Sequence, residues 1–149
     1  MTRRVPYDET YLNASYEWLR DPEMAYLTMS AAVTREQQRA WYDGLPGRTD
    51  YAIWGIEHDG RPVGVMGLKG IEPTTAEYFL YLGDKGSWGQ GLGRWAFEEI
   101  VRVGRERGLA TLTGLVGAHN ERSLAVHEHL GFRRIGVHDD GRILLAYEL

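Results

Sequence analysis

The sequence predicts an α/β protein of the α+β type, with a central mixed, mostly antiparallel twisted sheet of about six to seven strands and about four flanking helices. Three features support this fold class. From Tyr51 onward, short apolar runs alternate with turn residues, as antiparallel strands do. Residues 77–116 contain, in this order, a strand, a glycine loop, a helix and a second strand. A helical crossover of this kind makes the two strands parallel. Asp140-Gly141 joins the last two apolar runs as a hairpin.

Length and composition indicate one globular domain covering residues 1–149. The net charge is −4 and no basic cluster is present, so we expect no nucleic-acid partner. The chain has no Cys, which excludes disulfides, thiolate metal sites and a cysteine acyl-enzyme. No apolar run suits a signal peptide or a membrane helix, so we expect a cytoplasmic protein without a membrane partner.

The first 50 residues predict two helices and a connector. Residues 7–20 place apolar side chains at helical spacing, and an Asp-Pro pair ends that helix. A capping box at Thr34 opens a second helix that runs to about Leu45. The apolar segment 25–30 between them predicts a packed connector or the flexible wall of a substrate cleft, and the two interpretations are compatible.

The rest of the chain alternates strands with one long and one short helix. The first three strands form an antiparallel meander, and the last two form a hairpin. The helix in the middle begins at Leu92 and stops at Gly108. The predicted strands are 51–57, 63–68, 77–82, 110–116, 132–137 and 143–147.

The glycine loop Lys85-Gly86-Ser87-Trp88-Gly89-Gln90-Gly91-Leu92-Gly93-Arg94 predicts an anion site. A loop between a strand and a helix aims backbone N–H groups and the positive end of the helix dipole at one point. A dinucleotide fingerprint begun at Gly89 would need glycine where Arg94 stands, and the Gly-Lys-Ser/Thr of a P-loop is absent. The alternative interpretation is that the glycines serve only a tight turn.

The loop resembles the coenzyme A pyrophosphate loop of the GNAT superfamily of N-acetyltransferases, Gln/Arg-x-x-Gly-x-Gly/Ala. Gly91 and Gly93 match its two glycines, and Trp88 stands in place of Gln/Arg. The Trp-Gly-x-Gly sequence and the run from Leu19 to Met24 are similar to the branch that includes ribosomal-protein N-terminal and amino-sugar acetyltransferases.

A second segment, residues 120–132, is similar to another motif of that superfamily, Asn-x-x-Ser/Ala-x-x-x-Tyr-x-x-x-Gly-Phe. Asn120 and Ser123 fall in place, whereas His127 stands where the family has Tyr. The two motifs occur in the family's order, and the resemblance covers roughly residues 75–137. A pair of ordered motifs is much more specific than either one alone.

The resemblance implies acetyl-CoA as co-substrate. A strand edge freed from its neighbour would pair with the peptide-like pantetheine arm, and the loop would hold the pyrophosphate. In the second motif, Asn120 would contact the amide groups of coenzyme A, and Ser123 would contact a phosphate or only solvent. The implied binding residues are Tyr81, Leu82, Gly83, Trp88, Gly89, Gln90, Gly91, Leu92, Gly93, Arg94, Asn120 and Ser123.

The reaction needs one base and one acid. Glu77 stands where the histone-acetyltransferase branch carries its catalytic glutamate, and Glu72 is the reserve candidate. His127 is the predicted acid: it stands where the family has Tyr, and it shares a helix face with Ser123 and Asn120. The alternative is that it packs or binds coenzyme A as a neutral donor. His129 is predicted to lie on the surface.

The sequence therefore predicts an N-acetyltransferase that moves an acetyl group to a primary amine by direct attack in a ternary complex. Aromatic residues of the first half suit stacking on a sugar or base, although most of these rings are expected in the core. The branch resemblance favours an amino sugar or a nucleotide-linked amino sugar as the acceptor over a protein N-terminus. The alternatives are a protein N-terminal acetyltransferase of the ribosomal-protein type and a non-catalytic acyl-CoA-binding regulatory module. The expected partner is a small-molecule amine, a homodimer is compatible with the sequence, and no metal is expected.

Overall fold

The computed structural model describes residues 1–149 and contains one seven-stranded sheet. The strands are β1 (Thr2–Pro6), β2 (Tyr51–His58), β3 (Arg61–Lys69), β4 (Thr75–Leu82), β5 (Thr111–Val116), β6 (Arg133–Val137) and β7 (Ile143–Glu148). They lie in the order β1-β2-β3-β4-β5-β7-β6, and only β4 and β5 run parallel. The predicted mixed, mostly antiparallel sheet is confirmed.

Five α-helices accompany the sheet, one more than the predicted number. They are α1 (Glu9–Arg20), α2 (Pro22–Thr28), α3 (Arg35–Asp43), α4 (Leu92–Glu106) and α5 (Glu121–Leu130), and Lys85–Ser87 form a 3-10 turn. Most of the predicted connector 25–30 belongs to α2. Pro22 ends α1 but also begins α2, because proline is tolerated at the first helical position, and Asp21 caps that helix.

β1 is absent from the predicted elements. Its five residues carry no apolar alternation long enough to indicate a strand. It exists because its backbone pairs with β2, from Thr2 opposite His58 to Pro6 opposite Trp54. This edge strand is therefore a product of long-range pairing.

Helices cover both faces of the sheet. On β4, the ring of Tyr78 lies 5.7 Å from Phe97 of α4, whereas the ring of Tyr81 lies 6.4 Å from Trp18 of α1. Residues 78 and 81 are separated by an odd number of positions, so their side chains point to opposite faces. Consequently α1 and α4 sandwich β4. None of the helices combines the length and apolar character needed to cross a bilayer.

The main core lies between α4 and the sheet. Ile100 of α4 is fully buried and belongs to the same apolar cluster as Met66 and Leu112 of the strands. Apolar residues of α4 recur at helical spacing along this face, which is why the sequence pattern located the helix correctly.

Truncation at Ile100 tests this packing. We expect Ile100→Ala to lower the free energy of unfolding by about 2–5 kcal/mol, because the removed carbons leave a cavity in a close-packed region. Denaturant unfolding measures the change. Val126→Ala in α5 is the control, since Val126 is 50% exposed, and its effect should stay within about 0.5 kcal/mol. Equal effects of the two variants would contradict the assigned core.

The sheet splits between its two parallel strands. β4 and β5 pair only at Thr75–Thr111, Ala76–Leu112 and Glu77–Thr113. Beyond Glu77, β4 continues to Leu82 in register with β3, and β5 continues to Val116 in register with β7. The edge of β4 from residue 78 to 82 therefore has no strand partner on the β5 side. This is the splay that the family resemblance implied.

Candidate active site

The split between β4 and β5 opens into a cleft of about 470 Å³. β4 forms one wall, the end of β5 and the start of α5 form the other, and the segment Leu27 to Ser30 lies at the rim. The segment predicted as connector or cleft wall thus serves as both. The predicted site residues that line the cleft are Glu77, Tyr81, Leu82, Trp88, Asn120, Ser123 and His127.

The glycine loop ends at a helix terminus with unpaired donors. The first backbone hydrogen bond of α4 runs from Trp95 N to Gly91 O, so the N–H groups of Gly91 to Arg94 have no acceptor in the chain. The other four α-helices begin with a side-chain cap, whereas α4 has none. An anion is the natural partner for such a terminus.

The glycines keep this terminus open. Gly91 has φ +78°, a left-handed conformation that other residues adopt at a cost. Gly93 has an ordinary helical conformation, and a Cβ at this position would meet no atom within 4 Å beyond the neighbouring backbone of the helix itself. No internal contact therefore requires glycine at position 93, and the open space above it suits close approach of a ligand to the backbone.

The remaining loop side chains hold the loop itself. Trp88 Nε1 donates to Leu82 O at 2.9 Å, which ties the loop to the end of β4 beside the cleft. Gln90 donates to Gly86 O at 3.1 Å, and Arg94 pairs with Glu98 at 3.2 Å on the helix surface. Of these side chains only Trp88 faces the cleft.

Gly83 lies outside the cleft, although the resemblance grouped it with Tyr81 and Leu82. It is buried against α1, where a Cβ would come within 2.0 Å of the Trp18 ring. Glycine at this position is explained by that close packing. The available edge of β4 ends at Leu82.

Glu77 occupies the vertex of the split. It is the last residue of β4 that pairs with β5. Its carboxylate lies 3.2 Å from the ammonium group of Lys69, which is the opposite residue on the neighbouring strand β3. The Glu77 side chain is 26% exposed and lines the cleft. Glu72, the reserve base, is exposed in the β3–β4 turn, where Thr75 donates to it at 3.3 Å, and it does not reach the cleft.

His127 lies on the opposite wall and makes two contacts. Its Nδ1 is 2.6 Å from the backbone oxygen of Ser123, one turn earlier in α5. Its Nε2 contacts the hydroxyl of Tyr78 on β4. Burial lowers the pKa of His127 below its ordinary value, and burial raises the pKa of Tyr78.

These contacts fix the tautomer of neutral His127. A carbonyl oxygen can only accept, so Nδ1 carries the proton and donates it to Ser123 O. Nε2 is then the acceptor, and the Tyr78 hydroxyl donates to it. A neutral His127 in this arrangement presents no N–H group to the cleft. The sequence indicated His127 through its place in the motif but offered no sign of Tyr78, which lies 49 positions away.

Asn120 and Ser123 have structural roles in α5. Asn120 is the N-cap, and its Oδ1 accepts from Ser123 N at 3.1 Å. The Ser123 hydroxyl lies 3.3 Å from His127 Nδ1. The Asn120 amide nitrogen remains available to the cleft. His129 is exposed, as predicted.

A second cavity of about 480 Å³ adjoins the cleft from the side of the loop. It is lined by Gly93 and Arg94 of α4 and by residues of α5. Tyr78, Leu80 and His127 line both cavities and so form the wall between them. A larger cavity of about 680 Å³, between β1, β2 and the end of α3, contains neither the loop nor Glu77.

An uncapped helix terminus beside a split sheet, with a carboxylate at the vertex of the split, is the arrangement that this α/β fold presents. The chain belongs to the acetyltransferase (GNAT) domain family, whose model matches residues 4–133.

Several acetyltransferases are similar to this chain in sequence or in fold. Mycothiol acetyltransferase of Beutenbergia cavernae is 30% identical over 119 residues, which are 78% of this chain and 38% of that protein. The chain thus spans well under half of that relative. The ribosomal-protein-S18-alanine N-acetyltransferase from Escherichia coli has a TM-score of 0.74 at 22% identity, with 99% and 94% of the two chains covered. The structure of Campylobacter jejuni N-acetyltransferase PseH in complex with acetyl coenzyme A has a TM-score of 0.76 at 15% identity, with 99% of both chains covered.

Proposed function

We propose that this protein is an acetyl-CoA-dependent N-acetyltransferase that moves the acetyl group to the primary amine of a small molecule by direct attack in a ternary complex. The observation that carries the proposal is the cleft. It joins the free edge of β4, the uncapped end of α4 and the carboxylate of Glu77. Family membership and a structural neighbour in complex with acetyl coenzyme A support the same reaction.

The chain has the groups needed to hold acetyl-CoA. The N–H groups of Gly91 to Arg94 would bind the pyrophosphate, and the unpaired edge from Tyr78 to Leu82 would bind the pantetheine amides. Trp88 would keep the loop beside that edge. The thioester supplies an activated acetyl group, and the protein's part is to orient it and to move protons.

Glu77 is the proposed base. An alkyl amine arrives as an ammonium ion at neutral pH and must lose a proton before it can attack. A carboxylate at the vertex of the cleft can take that proton directly or through a water molecule. Lys69 beside it neutralises the carboxylate in the resting site without blocking its second oxygen.

The cleft favours an acceptor that carries an anionic group. Arg142 at the rim donates through Nε to Asp140 at 2.7 Å, and its two Nη atoms have no hydrogen-bond partner in the chain. Lys69 and Arg142 are the two cations that line the cleft; Lys69 pairs with Glu77 and Arg142 pairs through Nε with Asp140, so the Nη atoms of Arg142 are the donors left for an anionic group. Tyr51 and Phe79, which pack against each other at 5.6 Å between ring centroids, add aromatic surface against which a sugar or base can pack. A nucleotide-linked amino sugar fits these groups better than an unmodified amino sugar.

Release of coenzyme A thiol with a panel of amines tests the proposed function. The panel contains glucosamine, a nucleotide-linked amino sugar and a peptide with a free N-terminus. We expect amine-dependent thiol release with the sugar amines. Release with the peptide alone would indicate a protein N-terminal acetyltransferase. Saturable acetyl-CoA binding without any release would indicate a non-catalytic module.

Arg142→Gln tests the preference for an anionic acceptor. Loss of a charged hydrogen-bond donor should raise the KM for the nucleotide-linked amino sugar about tenfold or more and leave the KM for glucosamine unchanged. Steady-state kinetics with both acceptors measures the change. Arg134→Gln is the matched control, because Arg134 lies on the same hairpin but pairs with Glu128 outside the cleft. Equal KM changes for both acceptors would argue against an anion site at Arg142.

A further inference from the structure

We propose that Tyr78 and His127 form a proton shuttle that takes the proton released by the attacking amine and delivers it to the sulfur of the departing coenzyme A. The inference rests on the proposed acetyl transfer. It adds Tyr78 as a catalytic residue and changes the role of His127, which first accepts a proton and only afterwards returns it.

The direction of the hydrogen bonds supports this order of events. His127 Nδ1 is committed to Ser123 O at 2.6 Å, so Nε2 holds a lone pair toward the Tyr78 hydroxyl. When Nε2 takes the hydroxyl proton, the Tyr78 oxygen can take a proton from the cleft in the same step. The Ser123 carbonyl, still accepting from Nδ1, then stabilises the imidazolium. Neither ring has another titratable hydrogen-bond partner.

The position of the pair supports its contact with the reacting atoms. Tyr78 and His127 belong to the wall between the loop-side cavity, which includes Gly93, and the cleft, which includes Glu77. A co-substrate held at the loop and an amine held near Glu77 meet at this wall. Its third member, Leu80, has no group that can move a proton.

The proton balance is complete without an external reagent. Glu77 takes one proton from the ammonium ion and later releases it to solvent. Attack of the neutral amine forms the N–C bond and frees a second proton, which moves to the Tyr78 oxygen as the Tyr78 proton moves to His127 Nε2. The C–S bond then breaks with its electron pair on sulfur. Tyr78 protonates that sulfur, and Nε2 returns its proton to Tyr78.

The acidities suit a shuttle. Because burial lowers the pKa of His127, the ring is mostly neutral at pH 7 and can accept a proton. Because burial raises the pKa of Tyr78, the phenol does not ionise by itself and moves its proton only in concert with a partner. A histidine that acted alone as the general acid would instead need to be protonated before the reaction begins.

Three variants test the shuttle in the full chain. Tyr78→Phe keeps the ring in its cluster with Phe97 and Phe132 but removes the hydroxyl. His127→Gln keeps an oxygen that can accept from Tyr78 but cannot hold the proton. Tyr147→Phe is the control, because Tyr147 packs against the same two rings and does not line the cleft.

We expect kcat to fall about 10²-fold in Tyr78→Phe and in His127→Gln, with acetyl-CoA affinity unchanged. The double variant should lose no more than the worse single variant, because both residues serve one proton path. By contrast, the losses of Glu77→Gln and Tyr78→Phe should multiply, since these residues move different protons. Tyr147→Phe should keep wild-type kcat.

The rate in mixtures of H₂O and D₂O supplies a readout that a packing role would not change. Two protons moving together in the wild type give a curved dependence on the deuterium fraction, and both variants should give a straight line. Wild-type kcat in Tyr78→Phe, or losses that multiply between Tyr78 and His127, would overturn the shuttle and leave the acetyl transfer standing. A wild-type protein that releases no thiol with any amine would refute the acetyl transfer itself, and the shuttle with it.

Discussion

Gly93→Val is expected to lower acetyl-CoA affinity at least tenfold, about 1.4 kcal/mol, while the protein stays folded. The added carbons would project from the first turn of α4 into the space that the N–H groups of Gly91 to Arg94 face. Apart from the neighbouring backbone of the helix itself, no protein atom lies within 4 Å of the new Cβ, so a side chain has room at this position. Valine is also a better helix former than glycine, so stability should not suffer.

Position 93 is a sharper test than position 91. Gly91 has φ +78°, so a side chain there would strain the backbone as well as block the ligand. Gly136→Val is the matched control, because Gly136 is exposed on β6, has an ordinary φ and offers equally open space. Calorimetric titration with acetyl-CoA measures both variants. A folded Gly93→Val protein with affinity within about twofold of wild type would rule out the loop as the pyrophosphate site.

Glu77→Gln is expected to reduce kcat about 10²-fold near pH 7 and to leave acetyl-CoA affinity unchanged. Glutamine keeps the shape of the side chain but cannot take the proton of the ammonium ion. Below the pKa of the acceptor amine, the neutral fraction rises about tenfold per pH unit, so the deficit should shrink as the pH rises. Activity between pH 6 and 9, with the amine varied, measures this recovery.

Glu72→Gln is the control for Glu77, because this carboxylate is exposed outside the cleft. It should leave kcat unchanged at every pH. Lys69→Met is a second variant to compare with Glu77→Gln, since it removes the ion-pair partner of Glu77 and leaves the carboxylate in place. If Glu77→Gln keeps wild-type turnover, or if its deficit is the same at every pH, the base is a water molecule or another group.

Much of the architecture could be predicted from local signals. The helix from Leu92, the turn at Asp140-Gly141 and the meander from Tyr51 each follow from apolar periodicity or turn chemistry within a few residues. The helical form of α2 was not predicted, because a proline can both end one helix and begin the next. Strand β1 was missed because five residues carry too little pattern.

The sequence by itself determined the order of elements from Tyr51 onward, the two motifs and the uncapped start of α4, because glycine conformation and helix capping depend on residues within one turn of each other. Only the tertiary structure decided that Glu77 stands at the vertex of the split, that Trp88 is tied to Leu82, and that Tyr78 meets His127. These contacts depend on strand register and on the packing of α5 against the sheet. Both are set by the burial of the whole core, and no local pattern around Tyr78 or His127 encodes them.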